Sequence, residues 1–160
     1  MFALNLSAQT PTIPKNTTKL VMYVEYGGKG IKLGVIAYTD AVFRHYAPVE
    51  NKELNIGLSK NFESTGKISP QDIASASSAS YDSYSELLEK YKALGLEDKN
   101  VFFYTSSGVG VAKNITDFCD AVKAKTGHAV YVVKETEEAK YTIAGTIPYE
   151  KIDKALVLDQ

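Results

Sequence analysis

The sequence predicts an α/β fold, a mixed sheet with helices on both faces. Three observations predict it. Three β-rich runs open the chain, broken by glycine or turn residues; the apolar spacing then switches to the three-and-four period of a helix; and short apolar runs thereafter alternate with amphipathic stretches, giving the order βββαβαβαβ. A chain of 160 residues is one domain long, and folding at that size buries roughly 70% of the unfolded surface.

The first element is the run Leu20 to Tyr26, followed by Gly27-Gly28-Lys29-Gly30 and a second run from Ile31 to Tyr38. Glycines able to take positive φ suit the tight connection of a hairpin. Thr39-Asp40 predicts another turn, and Ala41 to Val49 a third strand, polar enough to lie near an edge. Asn51 to Gly66 is polar and reads as a loop of about sixteen residues, longer than a mere connection needs. Ser69 with Pro70 and Asp72 after it marks a helix start, and Ile73, Ser77, Ser80, Tyr84, Leu87, Leu88 and Tyr91 carry the helical period towards Gly95. Val101 to Tyr104 predicts a buried strand, with Thr105 to Gly110 a polar turn. Ile115 to about Lys125 predicts a helix, facing Phe118, Cys119 and Val122 inward and stopped by Gly127. Ala129 to Val133 is a strand signal, Thr136 reads as the N-cap of a helix from Glu137 to about Ala144, and Ala155 to Leu158 is a closing strand signal.

Composition removes several function classes. Hydrophobic residues make up 44% and charged residues 23% of the chain, which excludes a membrane protein and a disordered tail. Eighteen Lys and Arg oppose nineteen Asp and Glu, scattered along the chain, so nothing steers it to nucleic acid or an anionic membrane. One cysteine, Cys119, and two histidines, His45 and His128, exclude an intrachain disulfide framework and a cysteine or histidine metal cluster. Any metal would be held by carboxylates and phosphate. Both histidines read most simply as surface residues.

Residues 1–18 lack a basic n-region and read as a flexible leader, favouring a cytoplasmic location; Leu6-Ser7-Ala8-Gln9 also reads as the stump of a cleavage site. At the other end the apolar run meets no turn or cap, which predicts a piece of a longer protein.

The candidate site residues follow from what phosphate chemistry needs. Phosphate oxygens want converging main-chain N–H groups, which Gly27, Gly28 and Gly30 can present with no Cβ in the way, and Lys29 adds a cation. Thr105 and Ser106 sit at the end of the fourth strand signal. Glu25 and Asp159, each at the carboxyl end of a strand signal, suit Mg²⁺ directly or through its waters. Each also has a plain reading: the glycine turn as a simple hairpin, Thr105 and Ser106 as turn formers, and Glu137 and Glu138 as first-turn acids favouring the helix dipole. Tyr23, Tyr26, Tyr104, Tyr131 and Tyr141 read as core and rim residues.

Four segments together resemble one family. Val24-Glu25-Tyr26-Gly27-Gly28-Lys29-Gly30 is similar to the Asp-x-Gly-Ser-Asn-Ser phosphate hairpin of the exopolyphosphatase / guanosine pentaphosphate phosphohydrolase family, a branch of the actin-like ATPases with a ribonuclease H-like fold. Phe103 to Ser107, with Asn114 and Phe118, resembles its Ala-Thr-Ser-Ala-x-Arg segment. Thr136-Glu137-Glu138-Ala139-Lys140 resembles its Gly-x-Glu-Glu-Ala-Arg helix start, and Thr65 to Ser69 its Thr-Gly-Arg-Leu-Ser. The resemblance runs from about Leu20 to Asp159.

The resemblance implies that residues 19–160 are the N-terminal lobe of a Mg²⁺-dependent phosphohydrolase acting on polyphosphate or a nucleotide, with Glu138 as the base that orients and deprotonates water. Departures accompany it. Glu25 replaces an aspartate, Gly28, Lys29 and Gly30 replace hydroxyl and amide donors, and Val109 stands at about the place of the arginine, for which Lys113 is a poor geometric substitute. The family's second phosphate hairpin would begin just after Asp159. The expectation is therefore an isolated chain without turnover, its open cleft face free to self-associate. A non-catalytic binding or assembly module of the same fold is the alternative.

Overall fold

The structure is a computed structural model describing residues 11–40, 45–147 and 149–154. Five strands, β1 (Lys19–Tyr26), β2 (Ile31–Asp40), β3 (His45–Leu54), β4 (Val101–Thr105) and β5 (Val130–Val132), form one sheet in the order β3-β2-β1-β4-β5. β2 pairs antiparallel with β1 and β3, whereas β1–β4 and β4–β5 are parallel. The helices are α1 (Phe62–Thr65), α2 (Pro70–Lys92), α3 (Ser107–Gly110), α4 (Ile115–Thr126) and α5 (Glu135–Thr146). The expected mixed sheet is thus present, while the Ala155–Leu158 strand signal lies outside the described residues.

Alternation along the strands decides the two faces. Leu20, Met22, Val24 and Tyr26 of β1 and Ile31, Leu33, Val35 and Ala37 of β2 are buried on one face, covered by α2 and α4, whose Leu87, Tyr91, Phe118 and Val122 join the same core. Tyr26 meets Phe118 edge to face at 4.9 Å between ring centroids. Small residues let α2 come this close: Ser77, Ser80 and Ser83 are buried, and the Tyr26 hydroxyl donates to Ser80 Oγ at 2.9 Å. The opposite face carries Tyr23, Glu25, Phe102, Tyr104 and Tyr131. α5 crosses it, tied near its start by Glu138 to Ser107 and near its end by the Tyr46 hydroxyl, which donates to the Gly145 carbonyl.

α2 starts as its sequence demands. Ser69 Oγ accepts from the Asp72 main-chain N at 3.1 Å, Pro70 occupies the first turn, and Gly95 takes φ +99° beyond the helix. α4 ends at Gly127 with φ +80°, its N–H donating to the Lys123 carbonyl.

Four boundaries differ from expectation. β2 continues through Thr39 and Asp40 rather than turning there, and β3 runs on through Asn51–Leu54, so the expected sixteen-residue loop shrinks and itself contains α1. The reason is that the inward polar residues of this edge strand are paired with α2: Lys52 Nζ to Glu86 and Lys90 Nζ to Glu50, both at 2.6 Å. The turn after β4 winds into α3. α5 is capped from Lys134 rather than Thr136, because the Glu137 carboxylate accepts from the Lys134 main-chain N at 3.0 Å.

His128 is half-buried rather than a plain surface residue. Its ring stacks on Phe103 at 5.0 Å, and Nε2 lies 2.9 Å from Asp98 Oδ1 and 3.1 Å from the Tyr84 hydroxyl. His45 is exposed and faces Glu150 at 3.6 Å.

Candidate functional site at the carboxyl ends of β1 and β4

Because β1 and β4 are parallel neighbours, their carboxyl ends lie side by side, with Glu25 opposite Tyr104 and Tyr26 opposite Thr105. The Ser106 main-chain N extends the pairing to the Tyr26 carbonyl at 3.0 Å. Such strand ends are where open α/β sheets take ligands. Two cavities open here and share Glu25 and Ser106.

The first cavity, ≈ 540 Å³, is lined by Gly27 to Gly30 together with Lys32, Glu53 and Asn55. Gly27 N donates to the Gly30 carbonyl at 2.9 Å, closing the turn. Contrary to expectation, no glycine of this turn takes positive φ; among the described glycines only Gly66, Gly95 and Gly127 do. Close approach is the reason for glycine instead. A Cβ on Gly30 would lie 2.6 Å from the Leu54 carbonyl oxygen, and one on Gly28 3.0 Å from Ser59 Oγ. Ser59 fixes the tip by donating from N and Oγ to the Gly28 carbonyl, at 3.2 and 3.0 Å. The N–H groups of Gly28, Lys29 and Gly30 have no hydrogen-bond partner among the described residues, and the exposed Lys29 stands beside them.

The second cavity, ≈ 520 Å³, lies between the outer sheet face and α5 and includes Glu25, Tyr104, Tyr131, Glu138 and Tyr141. The two adjacent glutamates of α5 do different work. Glu137 caps its own helix and accepts from the Tyr131 hydroxyl at 2.9 Å, contacts that hold its carboxyl below the ordinary carboxylate range. Glu138 instead reaches across to accept from the Ser107 main-chain N at 3.0 Å. Burial, and next the charge of Glu25, push the Tyr104 hydroxyl well up, so it stays protonated and faces Glu25 Oε2 at a long 3.5 Å.

Thr105 is fully buried. Its side chain alternates onto the core face with Val101 and Phe103, where its hydroxyl has no hydrogen-bond partner among the described residues. Val109 is also fully buried, and Lys113 lies along Gly66 rather than in either cavity. Asp159 lies outside the described residues. Among the described residues no three His, Cys, Asp or Glu side chains form a metal cage. Glu25 and Glu138 offer two carboxylates to one cavity, a donor set compatible with Mg²⁺, which keeps several waters.

The structure thus brings Glu25, Gly27 to Gly30, Thr105, Ser106 and Glu138 to one end of the sheet. Sequence reasoning passed over Lys32, Ser107, Phe102 and the cavity roles of Tyr131 and Tyr141. Outward alternation on β2 would have flagged Lys32; for Phe102 and Tyr131 the signal was equally an exposed position on a short strand. No helix among the described residues is long and apolar enough to cross a membrane.

No family model matches the chain, and no curated protein matches it. Solved structures do. A Ppx/GppA family member from Aquifex aeolicus superposes with a TM-score of 0.66 at 19% identity, over 78% of this chain and 38% of that one. An exopolyphosphatase-like protein gives 0.65 at 19% identity, covering 80% and 36%. An exopolyphosphatase from Cytophaga hutchinsonii gives 0.60 at 17% identity, covering 76% and 36%. The chain spans little more than a third of the length of these structures, and the α/β architecture it shares with them is the fold of Ppx/GppA proteins.

Proposed function

We propose that this chain is the phosphate-gripping lobe of a phosphohydrolase-like protein acting on phosphoanhydride bonds. The observation that carries the reading is the convergence, at the ends of β1 and β4, of an unpaired Gly28-Lys29-Gly30 main-chain cradle with the carboxylates Glu25 and Glu138. The cradle and Lys29 would bind phosphate oxygens. Glu25, with Asp159, would hold Mg²⁺, which when bound neutralises phosphate charge. Glu138, oriented by Ser107 N, would position water and accept its proton.

Titration of the isotopically labelled chain with tripolyphosphate and Mg²⁺, followed by amide NMR, tests the reading. Shifts centred on Gly28, Lys29 and Gly30 that weaken in Lys29→Ala are expected; unmoved amides there would overturn it. The isolated chain is proposed to bind without turnover, since a cleft lined on one side excludes little water. Mg²⁺-dependent phosphate release that Glu138→Gln abolishes would refute that.

A non-catalytic binding module is the second reading. It is favoured by the buried Val109 and by the absence of Lys and Arg from the described residues that line the Glu138 cavity, which leaves no cation among them for transition-state charge. Phosphate binding without hydrolysis by the complete protein would select it.

A further inference from the structure

We infer that Ser59, which lines neither cavity, is a positioning residue for the hairpin cradle. It holds the Gly28–Lys29 peptide with the carbonyl turned away from the site and the N–H left for an arriving anion. Ser59 donates twice to the one oxygen of Gly28, from its main-chain N at 3.2 Å and from Oγ at 3.0 Å. Two donors match the two lone pairs of a carbonyl. Across a trans peptide the carbonyl and the N–H point in opposite directions. Clamping the Gly28 carbonyl onto Ser59 therefore turns the Lys29 N–H away from Ser59, and that N–H has no hydrogen-bond partner among the described residues. Gly28 and Lys29 both line the hairpin cavity.

The turn alone does not supply this order. Gly28 has no Cβ, so the peptide that follows it rotates at little steric cost. Rotated the other way, it would present a partly negative carbonyl oxygen to phosphate, and attraction would become repulsion. The clamp also acts on strength. Hydrogen bonds in series polarise one another, so two donors on the Gly28 oxygen make the N–H of the same peptide a better donor.

Ser59 is itself held from both sides. The preceding Leu58 is buried in the core, and the Ser59 carbonyl accepts from the Phe62 main-chain N at 3.1 Å, opening the turn that leads into α1. The hairpin tip thus rests against a loop anchored in the core. Its donors are ordered before a ligand arrives, which lowers the cost of binding. The inference rests on the phosphate reading for its ligand, whereas the orientation of the peptide is a property of the free chain.

The test compares the full chain with Ser59→Ala, which removes the hydroxyl donor, and Ser59→Thr, which keeps one. Circular dichroism checks that both variants keep the fold. Without ligand, the NMR order parameter of the Lys29 amide is expected to fall in Ser59→Ala and to recover in Ser59→Thr. With tripolyphosphate and Mg²⁺, Ser59→Ala is expected to bind about fivefold more weakly and Ser59→Thr like the parent. A merely structural serine would move neither reading in a folded variant. An unchanged Lys29 order parameter in Ser59→Ala would overturn the inference, and so would an affinity equal to the parent's. Failure of the parent to bind tripolyphosphate would count against the phosphate reading alone, because the ligand-free order parameter still decides whether Ser59 orients the peptide.

Discussion

Glu138 Oε2 accepts a hydrogen bond from the main-chain N of Ser107 at 3.0 Å, joining the first turn of α5 to the chain just beyond β4. One contact thereby closes the second cavity at its β4 end and aims a carboxylate into it. The acceptor, not the charge, is what the fold uses. Glu138→Gln keeps an oxygen for Ser107 N and should leave the urea midpoint close to the parent's, whereas Glu138→Ala leaves that donor unpaired and should cost about 1 kcal/mol. In a protein carrying the complete cleft, the same Gln variant should lose phosphohydrolysis. Equal destabilisation by both substitutions would show that the charge itself carries the contact.

The hairpin makes a sharper prediction about glycine. Gly30→Ala places a Cβ 2.6 Å from the Leu54 carbonyl oxygen, a backbone atom that cannot swing aside, so β3 must move away from β2; a loss of about 1–3 kcal/mol is expected. Gly108→Ala meets nothing within 4 Å inside the helical turn α3 and should stabilise by about 0.4–1 kcal/mol through the unfolded state. Chemical denaturation of the two variants decides it. A tolerated Gly30→Ala would mean the turn at Gly27–Gly30 is looser than its geometry.

What was legible in the sequence was whatever local chemistry decides. Ser69-Pro70 and Gly127 marked their helix ends because caps act over a few residues, and β1 and β2 declared themselves by apolar alternation. β3 was read too short because Glu50 and Lys52 face α2 as ion-pair partners, which erases the alternation a strand normally shows. His128 was misread because its neighbours Asp98, Tyr84 and Phe103 come from other elements. At the site, the glycine turn and Glu138 were visible as residues, but the division of labour between Glu137 and Glu138 depends on Lys134 and Ser107, one local and one thirty-one residues away.

The Tyr84–Asp98–His128 cluster predicts how stability depends on acid. The Tyr84 hydroxyl, and also His128, hold the Asp98 carboxyl below its ordinary value of 3.8, against a smaller effect of burial. A carboxylate with a lowered folded value stabilises fully above its unfolded value and loses that contribution as pH falls through the folded one. The urea midpoint should therefore drop as pH falls from about 5 to about 3, and drop less in Asp98→Asn. Because the Asp98 side chain is 60% exposed, solvent screening keeps the effect modest. An unchanged acid profile in Asp98→Asn would assign the drop to other carboxylates.

The strongest test of how α2 seats on the sheet lies at Tyr26 and Ser80. Both are fully buried, and the tyrosine hydroxyl donates to Ser80 Oγ at 2.9 Å while Ser80 Oγ itself donates to the Ser77 carbonyl at 3.2 Å. The two truncations are therefore unequal. Tyr26→Phe removes one donor and leaves Ser80 still bonded to Ser77, a loss of about 1 kcal/mol. Ser80→Ala strands the tyrosine hydroxyl in the core with no acceptor, which costs about 1–3 kcal/mol and outweighs the few tenths that alanine gains in helix propensity. In the Tyr26→Phe background no hydroxyl remains to strand, so Ser80→Ala should there be close to neutral. A double-mutant cycle by urea denaturation reads the difference directly. If Ser80→Ala costs as much with Phe at 26 as with Tyr, the Tyr26–Ser80 hydroxyl pair contributes nothing specific, and the cost belongs to the bond from Ser80 Oγ to the Ser77 carbonyl.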